Sequence, residues 1–331
     1  GLAFEIAAQF GASMQPVQST GWSQRSAGQP SAQVVDVSIH DNVGCSRYGG
    51  VVVRGLKVGP SPDWLQRRLV AIGQRPINNL VDITNYVLFD LGHPLHAFDL
   101  RQLRGGAIHV RRAEAGESIR TLDGLDRELL PHDLLICDGE RAVALAGVMG
   151  GENSEIADDT GDVLFECAHF DPSTVRKTAK RLGMRSESSY RFERGVDPSG
   201  VPVVLQRTLA LLEQCMQAMG QDYEVAAPFI DVVARPIGER FIHLPTGYPT
   251  RLLGMPVSSE EALAMLHVLG FSAVATEAGL DVRVPTRRAD VERPIDLVEE
   301  IGRLIGYDRL PSTLPACTPG TRPERRESAP V

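Results

Sequence analysis

The chain has 331 residues, 43% hydrophobic and 23% charged, with a formal net charge of −8. That length has room for two or three domains with their own cores, and no apolar run approaches the roughly 18–20 residues of a membrane span. The acidic balance argues against a free-standing nucleic-acid binder, whose affinity rests on neutralising phosphates.

In chain order, residues 1–14 have helical apolar spacing (Leu2, Ile6, Ala7, Phe10), and the Ser/Gln/Gly-rich stretch Ser19–Gln33 reads as a loop or linker. Residues 34–58 alternate toward strands, with Val51, Val52 and Val53 as a buried run. Ser61-Pro62-Asp63-Trp64 predicts a helix with Ser as cap and Pro first, turning Trp64, Leu65, Leu69 and Ile72 inward and stopping at Gly73. From 105 to 148 short strands alternate with turns at Asp123-Gly124 and Asp138-Gly139, and Val163–Cys167 is a further strand. Asp171-Pro172-Ser173 starts a basic helix that Gly183 ends, and Pro202 starts a long helix running to Gly220. A second unit spans about 235–311. Ser258 and Glu261 form a capping box there, Phe271–Thr276 and Leu280–Val284 form a hairpin, and a last helix begins near Pro294. Helices and a hairpin in this order fit a small winged-helix-like domain. Beyond Leu314 the composition predicts a disordered tail.

The opening Gly1-Leu2-Ala3-Phe4-Glu5, with no initiator Met or basic leader, reads as a cut from a longer polypeptide. Cys45, Cys137, Cys167, Cys215 and Cys317 are odd in number and contain no Cys-x-x-Cys pair, which fits reduced thiols in a cytosolic protein. One region runs against the acidic average. Between Arg176 and Arg194 lie Lys177, Lys180, Arg181, Arg185 and Arg191, against Glu187 and Glu193. That pattern suits a solvated helix face as well as a surface receiving an RNA end.

Three blocks carry a family resemblance: Arg75-Pro76-Ile77-Asn78-Asn79, His93-Pro94-Leu95-His96-Ala97-Phe98-Asp99, and Arg185-Ser186-Glu187-Ser188-Ser189-Tyr190-Arg191-Phe192-Glu193-Arg194-Gly195-Val196-Asp197-Pro198. Long, ungapped and in order, they resemble the β chain of bacterial phenylalanyl-tRNA synthetase. The resemblance covers nearly the whole chain and the middle portion of the family's β chain. It implies an α+β, α/β multidomain architecture. Its parts are a partial N-terminal domain and linker (1–41), a central mixed α/β tRNA-editing domain (42–232), a winged-helix-like domain (235–311) and a tail (312–331). The implied activity is hydrolysis of tyrosine mischarged onto tRNA(Phe), with binding of the tRNA acceptor end. The implied partner is the α chain of an α2β2 heterotetramer, in a cytoplasmic ATP-using ligase with no membrane association. The span matched here is not expected to aminoacylate. The rival expectation is a non-catalytic structural and RNA-docking module of that assembly.

An editing site has a defined problem. An apolar pocket rejects an added hydroxyl only about a hundredfold, whereas a site built to bond that hydroxyl strongly rejects the analogue lacking it. Glu166 is the candidate acceptor. Simple alternation puts Phe165 and Cys167 inward and Glu166 in water, but the resemblance places the matching glutamate on the tyrosine hydroxyl. It also implies that His96 and Arg75 line the pocket, for the ester and terminal adenosine, and that Gly147 and Gly150 allow close approach to the ring. Ser186 and Ser188 stand where the family commonly has Thr and Ala. No Ser-His-Asp spacing is evident, so water is the expected nucleophile. A second constellation is acidic: Asp290, Asp296, Glu299 and Glu300, the last three sharing a helix face. Its plain reading is a solvated face paired with Arg287, Arg288 or Arg303. The resemblance implies Mg²⁺ shared with the α chain, incomplete without it.

Overall fold

The structure, a computed structural model, describes residues 2–15, 17, 25–26 and 29–311. It opens with α1 (Leu2–Phe10), a one-turn α2 (Ser31–Val34), β1 (Asp36–Ile39) and the long β2 (Cys45–Arg54). Next come α3 (Asp63–Ala71), α4 (Asn79–Leu91) and β3 (His96–Asp99). A run of short strands follows: β4 (Ala107–Arg112), β5 (Ser118–Arg120), β6 (Asp126–Glu128), β7 (Leu134–Cys137), β8 (Ala142–Leu145) and β9 (Met149–Gly150). β10 (Val163–Phe170) leads to α5 (Pro172–Leu182), α6 (Glu187–Phe192), α7 (Val201–Met219) and β11 (Glu224–Val233). The last unit holds β12 (Arg240–Pro245), α8 (Tyr248–Leu253), α9 (Ser259–Val268), β13 (Ser272–Thr276), β14 (Gly279–Val284) and α10 (Pro294–Ile305). Among the described residues no helix is long and apolar enough to cross a membrane.

Two sheets organise the larger unit, one ordered β1-β4-β7-β8-β9 and one ordered β11-β2-β10-β3. β10 is an inner strand, antiparallel to β2 on one side and to β3 on the other. Its side chains alternate in the usual way, yet both faces are covered. Phe165 and Cys167 pack with Val51, Val53, Leu69, Ile83, Leu205 and Leu209, under α3, α4 and α7. Leu164, Ala168 and Phe170 face the other way, into a core shared with Val110, Leu135 and Ala144 of the second sheet. Every position on β10 except the partly exposed His169 is therefore buried.

The smaller unit is a β12-β14-β13 sheet under three helices, with α1 docked on it: Glu5 pairs with Arg303 of α10, and Arg287 lies over the Phe4 ring at 4.1 Å. The two units touch where the Thr286 hydroxyl donates to Asp197 at 2.6 Å.

Several local expectations are met in detail. Asp171 caps α5 by accepting from the Thr174 amide at 2.8 Å, and Gly183 closes it in a left-handed conformation at φ 65°. The Ser258/Glu261 capping box and the 272–284 hairpin also form. Two details of α3 differ. Ser61 does not cap it: Pro62 holds that position, because the Ser61 hydroxyl is spent on buried Asp82 at 2.6 Å. Ile72 lies past the helix end and is exposed. Of Ser19–Gln33, residues 19–24 and 27–28 fall outside the described residues, and Ser31 to Gln33 belong to α2 rather than a loop. The expected tail and Cys317 also fall outside them, and the four described cysteines are buried free thiols.

Candidate functional site

The site is built on β10 and β3. In their register Glu166 stands opposite His96, while Gly50 of β2 flanks Glu166 on the other side. Even-numbered β10 residues face the second sheet, and there a cavity of about 50 Å³ opens between the strands and α6. Glu166, His96, Gly147, Gly150 and Ser188 line it, with Leu95, Met149, Phe170 and Phe192 among the apolar walls.

Glu166 is 5% exposed, and among the described residues its side chain makes no hydrogen bond or ion pair. Burial alone pushes its carboxyl up to about 8, so the group is mostly protonated at neutral pH. His96 is the mirror case. Burial pushes its imidazole down to about 4, its ring sits 4.4 Å from that of Phe98, and its Nε2 is buried without a partner. A neutral acid and a neutral imidazole thus share one small cavity, both with unused hydrogen-bonding capacity. Buried polar groups are normally satisfied; two such groups side by side mark a place where something else supplies the bonds.

Glycine is required at two positions on the wall. At Gly150 an added Cβ would lie 2.5 Å from the His96 ring. Gly147 has φ +71°, and a Cβ there would press on Val175, Phe170 and Phe192 at 2.9–3.1 Å. Both keep the backbone close to whatever fills the space.

Two expected pocket residues are elsewhere. Ser186 does not line the cavity. Its hydroxyl donates to the Val148 carbonyl at 2.6 Å and accepts from the Ser189 amide at 3.0 Å, so it caps α6 and fastens that helix to a cavity wall. Arg75 does not line it either. It is exposed in the segment between α3 and α4. The rest of its block is helix-start chemistry: Asn78 caps α4 through the Leu80 and Val81 amides, and buried Asn79 bonds Lys57 and Gly59. The residues that sequence reading missed are mostly apolar walls. Tyr48 does not line the cavity but lies on the same face of β2 as Gly50, fully buried with an unpartnered hydroxyl whose pKa burial raises. Its signal lay in strand phase, since Tyr48, Gly50 and Val52 pair with Ala168, Glu166 and Leu164.

The acidic set does not converge. Among the described residues no three His, Cys, Asp or Glu side chains are placed to hold a metal ion. Glu300 is bound by Arg288 at 2.8 Å and Arg303 at 2.5 Å, Asp290 also takes Arg288 at 2.6 Å, and Asp296 turns back to the Glu292 and Arg293 amides. Glu299 is exposed. With arginines and amides filling their oxygens, these carboxylates do not fit a hard cation as they stand.

Residues 44–217 match the model of the B3/4 domain and residues 242–307 that of the tRNA synthetase B5 domain. The chain is 49% identical over 316 residues to the phenylalanine–tRNA ligase beta subunit of Geobacter sulfurreducens, covering 95% of this chain and 38% of that protein. It is 46% identical over 332 residues to the beta subunit of Anaeromyxobacter dehalogenans, covering 100% and 40%. It therefore spans about two fifths of the length of these curated relatives. A crystal structure of an N-terminal fragment of the Pyrococcus horikoshii phenylalanyl-tRNA synthetase beta subunit aligns over 85% of this chain and 77% of that one. At 12% identity and a TM-score of 0.39, it adds nothing to the fold described above.

Proposed function

This chain belongs to the phenylalanine–tRNA ligase β-subunit family, and on that premise we propose that its B3/4 region hydrolyses tyrosine mischarged onto the tRNA for phenylalanine. The observation that carries this reading is the buried, unpartnered Glu166 carboxyl in the cavity wall. Leaving such a group unsatisfied costs about 1–3 kcal/mol. A phenol hydroxyl relieves that cost and phenylalanine does not. As a neutral acid, Glu166 accepts the phenol proton on its carbonyl oxygen or donates its own. His96, neutral at the same pH, holds a water or the ester carbonyl at Nε2, and Gly147 and Gly150 let the ring approach the backbone. Water attacks the ester directly, since the Ser186 hydroxyl is committed to Val148. Arg75, exposed and outside the cavity, enters as a cation for the RNA rather than for the ester. In this reading aminoacylation, ATP and magnesium belong to the whole cytoplasmic α/β ligase, and no step here passes through a metal.

One observation favours a second reading, a non-catalytic RNA-docking module. The cavity of about 50 Å³ is far below the ~300–1,000 Å³ of ordinary ligand pockets, so the α6 wall must move to admit a ring. Misacylation assays on the complete ligase separate the two. Glu166→Ala should accumulate Tyr-tRNA while Phe-tRNA formation stays nearly intact. Unchanged Tyr-tRNA hydrolysis would leave only the docking module.

A further inference from the structure

The two units meet around a cleft of about 390 Å³, within the ~300–1,000 Å³ of ordinary ligand pockets. At that size no wall has to move to admit a small molecule. The larger unit contributes Ser46, His169 and Pro172, the smaller one Pro285 and Thr286, and the segment between them Arg235 and Pro236. The Ser46 hydroxyl and His169 Nδ1 are 2.7 Å apart. Either tautomer leaves this pair one hydrogen to donate: if Ser46 donates to Nδ1, the Nε2–H remains, and if Nδ1–H donates to Ser46, the hydroxyl hydrogen remains. Burial holds the imidazole below its ordinary value, although Asp171 and Asp197 pull it up, so the pair is mostly neutral at pH 7.

Arg235 brings the charge. Its amide donates to the Ser46 carbonyl at 3.2 Å, which sets it beside the pair, and its exposed side chain makes no ion pair among the described residues. The other charges of the lining are engaged. Asp171 takes the Thr174 amide and hydroxyl at 2.8 Å, Glu292 faces Arg240 at 3.6 Å, and Arg288 is tied to Asp290 and Glu300. Donors left without acceptors call for a ligand that supplies acceptors, and a guanidinium suits an oxyanion. Pro172, Pro236 and Pro285 add rigid apolar walls for a carbon body. We propose that this cleft binds a small organic oxyanion, a carboxylate or a phosphate monoester. Its charged group sits on Arg235 and the Ser46–His169 pair, and its body lies between the prolines, touching both units. The site is separate from the Glu166 cavity and does not depend on the hydrolytic reading.

The test is ¹H–¹⁵N NMR of the His169 ring in this chain, assigned with His169→Gln. Glycerol phosphate and glutarate serve as the two organic probes at millimolar concentration, with sulfate as a bare oxyanion and chloride at matched ionic strength. A saturable shift of the His169 signals is expected with an organic probe, and the tighter of the two names the head group. Arg235→Ala should weaken that binding by at least about tenfold, the worth of a charge-assisted hydrogen bond. Arg235→Lys should recover part of it, since it keeps the charge without the planar fork. Ser46→Ala should weaken it less. Arg235 is exposed, so an unchanged melting temperature shows that its variants fold. The site is overturned if neither organic probe gives a saturable shift, if chloride reproduces it, or if Arg235→Ala binds as wild type does. Sulfate binding as tightly as the organic probes overturns the carbon-body part of the proposal.

Discussion

Glu166 and Glu300 are both buried glutamates, 5% and 7% exposed, and their environments push them in opposite directions. Around Glu166 there is only desolvation, and the carboxyl rises to about 8. Glu300 is also penalised by burial, but hydrogen bonds from Arg288 and Arg303 outweigh it and hold the group below its ordinary value. The difference lies in the partners. A carboxylate already satisfied by arginine is part of the framework, while one left bare is available to a ligand.

The largest expected effect tests the framework side. Glu300→Ala leaves Arg288 and Arg303 short of a partner, although Asp290 and Glu5 remain, and should cost about 2–3 kcal/mol in urea denaturation. Glu166→Gln should cost much less; the opposite ranking breaks the comparison. Gly150→Ala comes next. Its methyl group meets His96, so about 1–3 kcal/mol of overpacking should accompany loss of tyrosyl-ester hydrolysis.

The two regions should also answer pH with opposite signs. Glu166 titrates at about 8 folded against an ordinary 4.5, so its stabilising proton is fully present below pH 4.5 and lost as pH rises to 8. His93 and His96 fall from 6.5 to about 4, so their contribution is lost as pH falls through that window. Of these three groups only Glu166 acts between pH 6.5 and 8. Wild type should there lose up to about 1.4 kcal/mol per pH unit relative to Glu166→Gln. Asp290, Asp296 and Glu300 are all lowered, so stability from that region is lost at acid pH instead. The smallest effect is magnesium. With the α10 carboxylates occupied, millimolar Mg²⁺ should move the melting temperature of this chain by less than about 1 °C, since a ligand stabilises only in proportion to its occupancy. A clear upward shift would show that the arginines yield to the metal.

Much of this was legible in local chemistry. The caps of α5, the Ser258/Glu261 box and the 272–284 hairpin follow from residues within a few positions of each other. Alternation along β10 was legible too, but its consequence was not. Glu166 assigned to water by period alone is buried, because β10 is an inner strand covered by α7 on one face and a second sheet on the other. That covering comes from segments far away in sequence. The block resemblance recovered Glu166 and His96 for the cavity, yet could not tell that Arg75 sits outside it or that Ser186 is a cap. The pairing of the acidic set was legible as well, since Arg288 and Arg303, both named from the sequence, take the Glu300 carboxylate.

The most direct measurement is a ¹³C carboxyl NMR titration of this chain, with Glu166→Gln and Glu300→Gln used to assign the two signals. Glu166 should titrate near 8 and Glu300 below its ordinary 4.5. A Glu166 signal moving near 4.5 would mean that the carboxyl is already solvated or paired, and the claim that it is held bare for a ligand would be wrong.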